Sequence, residues 1–391
     1  MKSLRNTELD AAVMDWPVHM QRALDLARHV ITATPNPRVG CVLVKDGEVV
    51  GEGWHEGPGL PHAEVVALRQ AGTAAQGATA FVSLEPCAHQ GRTGPCCEAL
   101  CEAQVQQVVL PLVDPNPQVA GKGIAFLEQH GIDVVLLSDF RDEAIAVNPG
   151  FIRRMESGLP FVRLKLAMSL DGRTALANGE SKWITGATAR SDVQLLRARS
   201  SAVLTGIGTV LADDPQLNVR VEDLDISETQ RISNAVNLST QPKRVVLDSQ
   251  LQTPDTSRII NAEGEVIVYT VTEPETVKIA ARDNVALRVV SPVGGRVDLE
   301  SVLKSLASDF ACNEILVEAG PTLSGAFLDA GLVDELIIYM APKILGADAR
   351  PLFGSSGLQS LADARKFNIG EVIEVGEDLR ITLSPQEVRY V

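Results

Sequence analysis

Pro61-His62-Ala63-Glu64, followed by Glu85-Pro86-Cys87 and Pro95-Cys96, is the stretch that decides the fold of the first part of this chain. His62, Cys87 and Cys96 would supply one nitrogen and two sulfur ligands to a zinc ion and leave its fourth tetrahedral position open for water. Such an open position is typical of a catalytic zinc site. Glu64 stands two residues after the histidine and is the candidate proton carrier. The pattern predicts hydrolytic deamination, in which activated water attacks a ring carbon that bears an amino group.

The elements predicted around these residues alternate between helix and strand. Because proline suits the first position of a helix, we expect helices to begin at Pro61 and Pro95. Cys96 would then lie at a helix N-terminus, where the helix dipole lowers the pKa of a thiol. The pattern predicts a three-layer α/β/α domain over residues 15–150. The other predicted elements are a helix after Asp15, strands over 40–45, 48–54, 78–84, 105–110 and 132–137, a turn at Asp46-Gly47, and helices over 96–103, 122–130 and 139–147.

Length and composition indicate two domains. A chain of 391 residues exceeds the usual size of one. Its net charge of -15 argues against a nucleic-acid partner, which would require a basic face. No apolar run approaches the ~18 residues of a membrane span, and the polar residues 1–14 lack the apolar segment of a signal peptide. We therefore expect a cytoplasmic protein without membrane or nucleic-acid partners.

Histidines and cysteines are concentrated in the first domain. All six histidines lie between His19 and His130, and five of the six cysteines lie between Cys41 and Cys101. Without a secretory signal, this clustering favours metal chemistry over disulfides. Single features have simpler interpretations, since a lone HxE triplet is weak and a free cysteine is commonly a core residue. That core interpretation is the one we expect for Cys97 and Cys101.

Two alternatives stay open from the residues alone. The chain could be another zinc deaminase, acting on nucleic acid or free nucleosides, with the second domain as a specificity module. It could instead be a binding protein whose zinc is structural and closed by a fourth ligand such as Cys97. The acidic composition weighs against a nucleic-acid substrate.

The second domain is predicted over residues 158–391, with the boundary between 148 and 160. Gly206 and Gly208 follow a strand, but Leu211 occupies the place of the third glycine of a dinucleotide fingerprint, so a Rossmann unit is not expected. Gly320 and Thr322 open a helix and could form an anion site there, with helix capping by Thr322 as the structural alternative. The polar segment 221–242 is predicted to be a surface excursion. Predicted regular elements are strands over 161–169, 202–205, 243–248, 265–270, 314–318, 336–339 and 380–383, and helices over 187–199 and up to residue 330.

The loop between the two cysteines gives the first domain a family resemblance. Eight residues, Ala88 to Pro95, separate Cys87 from Cys96, where the common deaminase motif has two. This loop, with Pro35-Asn36-Pro37, Asp114-Pro115-Asn116-Pro117 and Val119–Gly123, resembles the deaminase half of the bifunctional riboflavin-biosynthesis deaminase/reductases. The resemblance implies a cytidine-deaminase-like fold, one zinc ion, and a diaminopyrimidinone substrate that carries ribose 5-phosphate. On this basis Asn36 could bind the ring amide, and His89 and Arg92 could bind the ribose or phosphate.

Stretches of the second domain resemble the reductase half of the same family. They are Lys165–Arg173, Gly179–Thr185, Leu195-Leu196-Arg197, Asp213-Asp214-Pro215 and Val317–Thr322. The resemblance implies a dihydrofolate-reductase-like α/β fold and NADPH-dependent reduction of the ribosyl group to a ribityl chain. We also expect a homo-oligomer. The resemblance implies NADPH contacts at Ala167, Trp183, Thr209, Asp213, Ser249, Gly320, Pro321, Thr322, Leu323, Ser324 and Gly325, and substrate contacts at Ser181, Arg197, Leu217, Arg220 and Glu318.

Overall fold

The structure is a computed structural model that describes residues 15–90, 94–273, 279, 282–354 and 359–386. These residues form two compact units. The first unit runs to Glu156 and also contains Ser227–Ser239. The second unit comprises Ser157–Ile226 and the chain from Thr240 onward. None of the helices in the described ranges has both the length and the apolar character that a membrane span needs.

The first unit is built on a five-stranded sheet in the order β2-β1-β3-β4-β5. Strands β3, β4 and β5 are parallel, and β1 is antiparallel to both of its neighbours. The elements before residue 158 are α1 (Trp16–Arg28), β1 (Gly40–Lys45), β2 (Glu48–Trp54), α2 (Ala63–Ala71), β3 (Thr79–Val82), α3 (Cys96–Glu102), β4 (Gln107–Leu110), α4 (Lys122–Gln129), β5 (Asp133–Leu136), α5 (Arg141–Val147) and α6 (Pro149–Ser157).

Separate hydrophobic cores cover the two faces of this sheet. One core joins Leu24 of α1 and Val147 of α5 to Phe81 of β3. The other joins Ala67 of α2, Leu100 of α3 and further residues of α4 to the alternate positions of the same strands. Successive strand residues point to opposite faces, so both faces of the sheet are buried. The predicted three-layer α/β/α arrangement is confirmed.

Close packing places α2 directly against the sheet. A Cβ atom on Gly53 of β2 would lie 2.4 Å from the carbonyl oxygen of Ala63, where α2 begins. Only a residue without a side chain allows this approach. The strand therefore sets the position of the first turn of α2, which carries Glu64.

Several predicted boundaries differ from the structure. Helix α2 begins at Ala63, with His62 as its N-cap, two residues after the predicted start at Pro61. Asp15 is the N-cap of α1, but its side chain makes no capping hydrogen bond. Within the predicted boundary region 148–160, Pro149 opens α6 rather than a linker, because proline lacks only an N–H that the first turn of a helix leaves unused.

The second unit contains a nine-stranded sheet in the order β11-β10-β9-β8-β14-β6-β15-β18-β17. It is parallel from β11 to β15, and the pairs β15–β18 and β18–β17 are antiparallel. The elements after residue 158 are β6 (Phe161–Ser169), β7 (Arg173–Ala175), α7 (Ala187–Arg199), β8 (Ala202–Gly206), α8 (Ile207–Asp213), α9 (Glu228–Ser233), α10 (Ala235–Leu238), β9 (Lys243–Leu247), α11 (Arg258–Asn261), β10 (Val266–Thr270), β11 (Val285–Val289), β12 (Pro292–Val293), β13 (Arg296–Val297), α12 (Leu299–Ser308), β14 (Glu314–Glu318), α13 (Pro321–Asp329), β15 (Glu335–Ala341), β16 (Arg350–Pro351), β17 (Phe367–Val375) and β18 (Asp378–Pro385).

The segment 221–242 keeps many exposed residues, as the predicted surface excursion would, but it is neither irregular nor unpacked. It contains helices α9 and α10, and residues 227–239 pack with the first unit. Asn234 is fully buried, and Leu238 is buried beside it. A polar sequence can be buried when its amides find partners, which the local pattern does not reveal. Helix α13 also differs from expectation, since its N-cap is Gly320 rather than Thr322.

Candidate active sites

His62, Cys87 and Cys96 converge in the first unit. Their candidate ligand atoms, one per residue, all lie within 4.8 Å of one another. Nδ1 of His62 is 3.1 Å from Sγ of Cys96 and 3.5 Å from Sγ of Cys87. Among the residues that the structure describes, this is the one cluster of three or more candidate metal ligands. The predicted ligand set is therefore assembled.

These distances fit a zinc ion. Zinc binds imidazole nitrogen and thiolate sulfur at tetrahedral angles, which places a nitrogen and a sulfur ligand ~3.5 Å apart. The two observed nitrogen–sulfur separations lie close to that value. Two thiolates and one imidazole are also the ligand types that zinc selects. His62, Cys87 and Cys96 would hold the ion with one position left for water.

The pKa values of the Cys87 and Cys96 thiols are shifted in opposite directions. Hydrogen bonding to Cys96 is the main cause that lowers the pKa of Cys87 to about 4, and the neighbouring His62 lowers it further. The pKa of Cys96 is raised, because its thiol is bonded to Cys87 and because it is buried. Each shift reflects the hydrogen bond between the two thiols, so the effect of the helix N-terminus on Cys96 stays a prediction.

Glu64 lies in the first turn of α2, beside the ligand set. Its side chain is buried, with 3% of the residue exposed. Burial raises the pKa of Glu64, and the charge of the nearby Cys87 raises it further. A carboxylate with a raised pKa accepts a proton more readily at neutral pH. Its place therefore suits proton transfer rather than zinc binding.

Cys97 does not belong to the ligand cluster. Its Sγ lies 3.3 Å from the carbonyl oxygen of Pro86 and 3.6 Å from that of Gly123. The thiol is packed in the core against α4, as expected, while Cys101 is half-buried. The alternative of a closed structural site with Cys97 as fourth ligand therefore has no support among the described residues.

Asn36 is tied to the zinc-ligand loop through His55, a residue that the sequence analysis did not single out. Nδ2 of Asn36 donates to Nε2 of His55 over 2.9 Å, and Nδ1 of His55 donates to the carbonyl oxygen of Pro61 over 3.1 Å. The two partners select the neutral tautomer with hydrogen on Nδ1. No local pattern marks His55. His89 is exposed, and the predicted Arg92 lies outside the described residues.

A large cavity of 1310 Å³ opens in the second unit. It exceeds the ~1,000 Å³ that encloses a drug-sized ligand, so it has room for a dinucleotide and a second molecule. Of the eleven predicted NADPH residues, Ser324 and Gly325 do not line it, because both are buried on the inner side of α13. The predicted residues that line the cavity are Ala167, Ser181, Trp183, Arg197, Thr209, Asp213, Leu217, Arg220, Ser249, Glu318, Gly320, Pro321, Thr322 and Leu323.

The cavity walls fit an anionic dinucleotide such as NADPH. Gly320 and Pro321 begin α13, and Gly208 lies in the first turn of α8, so two helix N-termini reach the cavity. A Cβ atom on Gly208 or Gly320 would meet nothing within 4 Å. That open space lets a ligand approach the backbone closely, where amide groups bind phosphate.

Lys165 and the pair Arg197–Glu318 form a buried charged group at the cavity wall. Nε and Nη2 of Arg197 donate to the two carboxylate oxygens of Glu318, over 2.6 and 3.0 Å. Burial raises the pKa of Glu318, but Arg197 and Lys165 outweigh that effect and the net shift is downward. Burial also lowers the pKa of Lys165, against the opposing charge of Glu318. The sequence prediction did not assign a role to Lys165, and its position in the middle of the apolar strand β6 is the signal that marks it.

Two family models match the chain. Residues 17–112 match the cytidine and deoxycytidylate deaminase zinc-binding region. Residues 160–380 match the RibD C-terminal domain. The first match contains the ligand cluster, and the second contains the cavity.

Curated relatives and solved structures match both units. The riboflavin biosynthesis protein RibD of Escherichia coli is 51% identical over 374 residues, which cover 93% of this chain and 98% of that protein. The protein of the same name from Haemophilus influenzae is 49% identical and covers 95% of this chain and 98% of its own length. The structure of Acinetobacter baumannii RibD has a TM-score of 0.86 and 47% identity over 96% of this chain and 100% of that chain.

A more distant solved structure has a more informative name. It is a diaminohydroxyphosphoribosylaminopyrimidine deaminase/5-amino-6-(5-phosphoribosylamino)uracil reductase from Thermotoga maritima. It is 32% identical, with a TM-score of 0.82 over 96% of this chain and 99% of that chain.

Proposed function

This chain belongs to the RibD family, and from that membership we propose which of its residues carry out each of two reactions. The protein is a bifunctional enzyme of riboflavin biosynthesis, a zinc-dependent deaminase and an NADPH-dependent reductase that acts on small pyrimidine compounds. The alternatives of a nucleic-acid deaminase and of a binding protein are set aside. The convergence of His62, Cys87 and Cys96 beside Glu64 is the observation that carries the assignment of the deaminase site.

For the first reaction we propose hydrolytic removal of the 2-amino group of 2,5-diamino-6-(5-phosphoribosylamino)pyrimidin-4(3H)-one. Bound zinc would supply an activated water at neutral pH. A carboxylate oxygen of Glu64 accepts the proton of that water and delivers it to the ring nitrogen next to the amino-bearing carbon. Glu64 then carries a proton to the departing ammonia. The raised pKa of Glu64 suits a group that takes up and releases a proton within one cycle.

Substrate orientation at this site is assigned to three residues from outside the ligand set. The amide of Asn36 is held by His55 through its Nδ2, so its Oδ1 is the atom that we assign to a ring N–H of the substrate. The resemblance of the loop between the cysteines assigns His89 and Arg92 to the ribose or phosphate. We propose these contacts as the source of specificity for a phosphorylated pyrimidine over a free nucleoside.

For the second reaction we propose reduction of the open-chain ribosyl group of 5-amino-6-(5-phosphoribosylamino)uracil to a ribityl chain. NADPH supplies the hydride when bound. Lys165 is the residue that we assign to proton donation, because it is half-buried, lines the cavity and lies beside Glu318. Arg197 is paired with Glu318 and Arg220 with Asp223, and we assign the substrate phosphate to Arg220 because its guanidinium is the more exposed of the two. Ser181 and Leu217 also line the cavity, and we assign them to further contacts with the substrate.

NADPH itself would lie along the part of the cavity wall that contains Gly208 and Gly320. We assign its contacts to the nine predicted residues that line the cavity. Ser324 and Gly325 are removed from this assignment, because their positions within α13 keep them away from the cavity. The nine are Ala167, Trp183, Thr209, Asp213, Ser249, Gly320, Pro321, Thr322 and Leu323.

One experiment tests the role of Glu64 in deamination and the independence of the reductase reaction from Glu64. Ammonia release and NADPH oxidation are measured on the phosphoribosyl diaminopyrimidine for the wild type and for Glu64→Gln. We expect zinc to stay bound and ammonia release to fall by about 10²–10⁴-fold, the usual contribution of a general acid–base. NADPH oxidation should be restored when deaminated substrate is added. Glu98→Gln, an exposed change on α3, is the control. Normal ammonia release from Glu64→Gln would refute the role of Glu64.

Three broader features remain proposals. We place the deaminase in the first unit, which includes Ser227–Ser239, and the reductase in the second unit. We propose a homo-oligomer, to be measured by sedimentation, and a location in the cytoplasm, to be measured by fractionation.

A further inference from the structure

Two asparagines of the segment Ser227–Ser239 each contact one loop that leads toward the candidate deaminase site. The segment lies far from these loops in sequence, after β8 and α8 of the second unit, but it packs within the first unit. It has two short helices, α9 and α10, and one buried asparagine between them. Asn234 contacts the loop that leads to Asn36, and Asn237 contacts the loop that leads to His62.

The side-chain amide of Asn234 makes hydrogen bonds to the backbone of the chain that follows α1. Its Oδ1 accepts from the backbone N–H of Ile31 over 2.7 Å, and its Nδ2 donates to the carbonyl oxygen of His29 over 3.0 Å. The same Nδ2 donates to the carbonyl of Gln230, its own helix, over 2.8 Å. Asn234 has no exposed surface, so these backbone groups rather than water satisfy the hydrogen-bonding atoms of its side-chain amide. The end of α1 and the start of the loop to Asn36 are thereby held.

Asn237 contacts the second loop. Its Nδ2 donates to the carbonyl oxygen of Glu56 over 2.5 Å. A Cβ atom on Gly57 would lie 2.9 Å from Oδ1 of Asn237, so the glycine permits this close approach. The loop continues through Pro61 to His62, the predicted zinc ligand.

The two loops meet at the active site. Asn36, from the first loop, bonds His55, and His55 bonds the carbonyl of Pro61, from the second. The rings of His55 and His62 lie 5.0 Å apart, edge to face. The chain of contacts therefore runs from each asparagine, through one loop, to the same point beside the zinc ligands.

We propose that Asn234 and Asn237 are positioning residues of the deaminase, and that Ser227–Ser239 is a working part of the deaminase site supplied by the second half of the chain. They act by fixing the loops of Asn36 and His62 rather than by touching substrate. The inference rests on the proposed deaminase function of that site. Asn36 is assigned to binding, so loss of its fixed position weakens ground-state and transition-state binding alike and raises KM with little change in kcat.

The test compares Asn234→Ala, Asn237→Ala and the double variant with Val236→Ala, a change at an exposed residue between them. Each is assayed as the full chain for KM and kcat of ammonia release, for zinc content, for the rate of zinc loss to a chelator, and for NADPH oxidation on deaminated substrate. For Asn234→Ala we expect a KM increase of about ten-fold, which corresponds to the loss of one or two hydrogen bonds. For Asn237→Ala we expect faster zinc loss. Val236→Ala and all NADPH oxidation rates should match wild type.

Two results would overturn the inference. One is a wild-type KM and a wild-type zinc-loss rate in the double variant. The other is a fall in kcat together with a lower melting temperature and an unchanged KM, which indicates a structural role alone. If Asn234→Ala does not fold, Asn237→Ala decides, since it removes one donor at a half-exposed residue. Glu64→Gln separates the two claims, because ammonia release that survives that change refutes the placement of the deaminase site at Glu64, whatever the asparagine variants show.

Discussion

Arg197 donates two parallel hydrogen bonds to Glu318, of 2.6 and 3.0 Å, at the wall of the cavity in the second unit. Only 12% of each side chain is exposed, so both charges are largely removed from water. A forked pair of this kind fixes the direction of the carboxylate as well as its charge. Glu318 is therefore presented to the cavity in one orientation, beside Lys165.

Replacing Arg197 by methionine should damage both the reductase reaction and the stability of the second unit. Glu318 would keep a buried charge without its partner, which costs about 3–5 kcal/mol. Thermal unfolding and NADPH oxidation measure the two effects. The control is Arg365→Met, which breaks the half-exposed pair with Asp329 and should change stability by at most about 1 kcal/mol. Equal effects of the two changes would contradict this account.

If Lys165 donates the proton, kcat of the reductase reaction should fall at alkaline pH. Burial lowers the pKa of Lys165 below its ordinary value, so the residue loses its proton at a lower pH than an exposed lysine does. If the charged form donates the proton, kcat falls as pH rises through this lowered pKa and is retained below it. We expect Lys165→Met to lower kcat and to remove this limb from the pH profile. Lys304→Met, at an exposed position of α12, should leave the profile unchanged.

Removal of the metal should separate the two activities. The single ligand cluster among the described residues lies in the first unit, so a chelator should abolish ammonia release. NADPH oxidation on deaminated substrate should continue at its full rate. Ammonia release should return when zinc is added back. A parallel loss of both activities would mean that the reductase also depends on the metal.

Glu85 should be a stability determinant of the deaminase unit. Its two carboxylate oxygens accept four backbone N–H groups, those of Asp114, Gly121, Gly123 and Ile124, over 2.9–3.2 Å. In Glu85→Gln an amide NH₂ faces two of these donors, and each buried donor left unpaired costs about 1–3 kcal/mol. We expect the unfolding midpoint in denaturant to fall, while Glu48→Gln at an exposed position leaves it unchanged. An unchanged midpoint in Glu85→Gln would contradict the role of these bonds.

The cluster of His62, Cys87 and Cys96 was predictable because its signal in the sequence is local. His62 and Glu64 are two residues apart, and a proline stands directly before each of the three candidate ligands. Hydrophobic periodicity and proline position likewise predicted α7, β6 and β14 with their observed bounds. Local patterns determine such elements, because helix and strand each have a fixed repeat.

The sequence by itself therefore determined the ligand types, the α/β class and the two-part organisation of this protein. Tertiary structure alone decided which distant groups complete each site. Asn234 reaches Ile31 across 203 positions, and Arg197 reaches Glu318 across 121. Such pairs arise when packed elements bring buried polar groups together, and each group must find a partner there because unpaired burial is costly. No periodic pattern encodes that requirement, so only the folded chain reveals it.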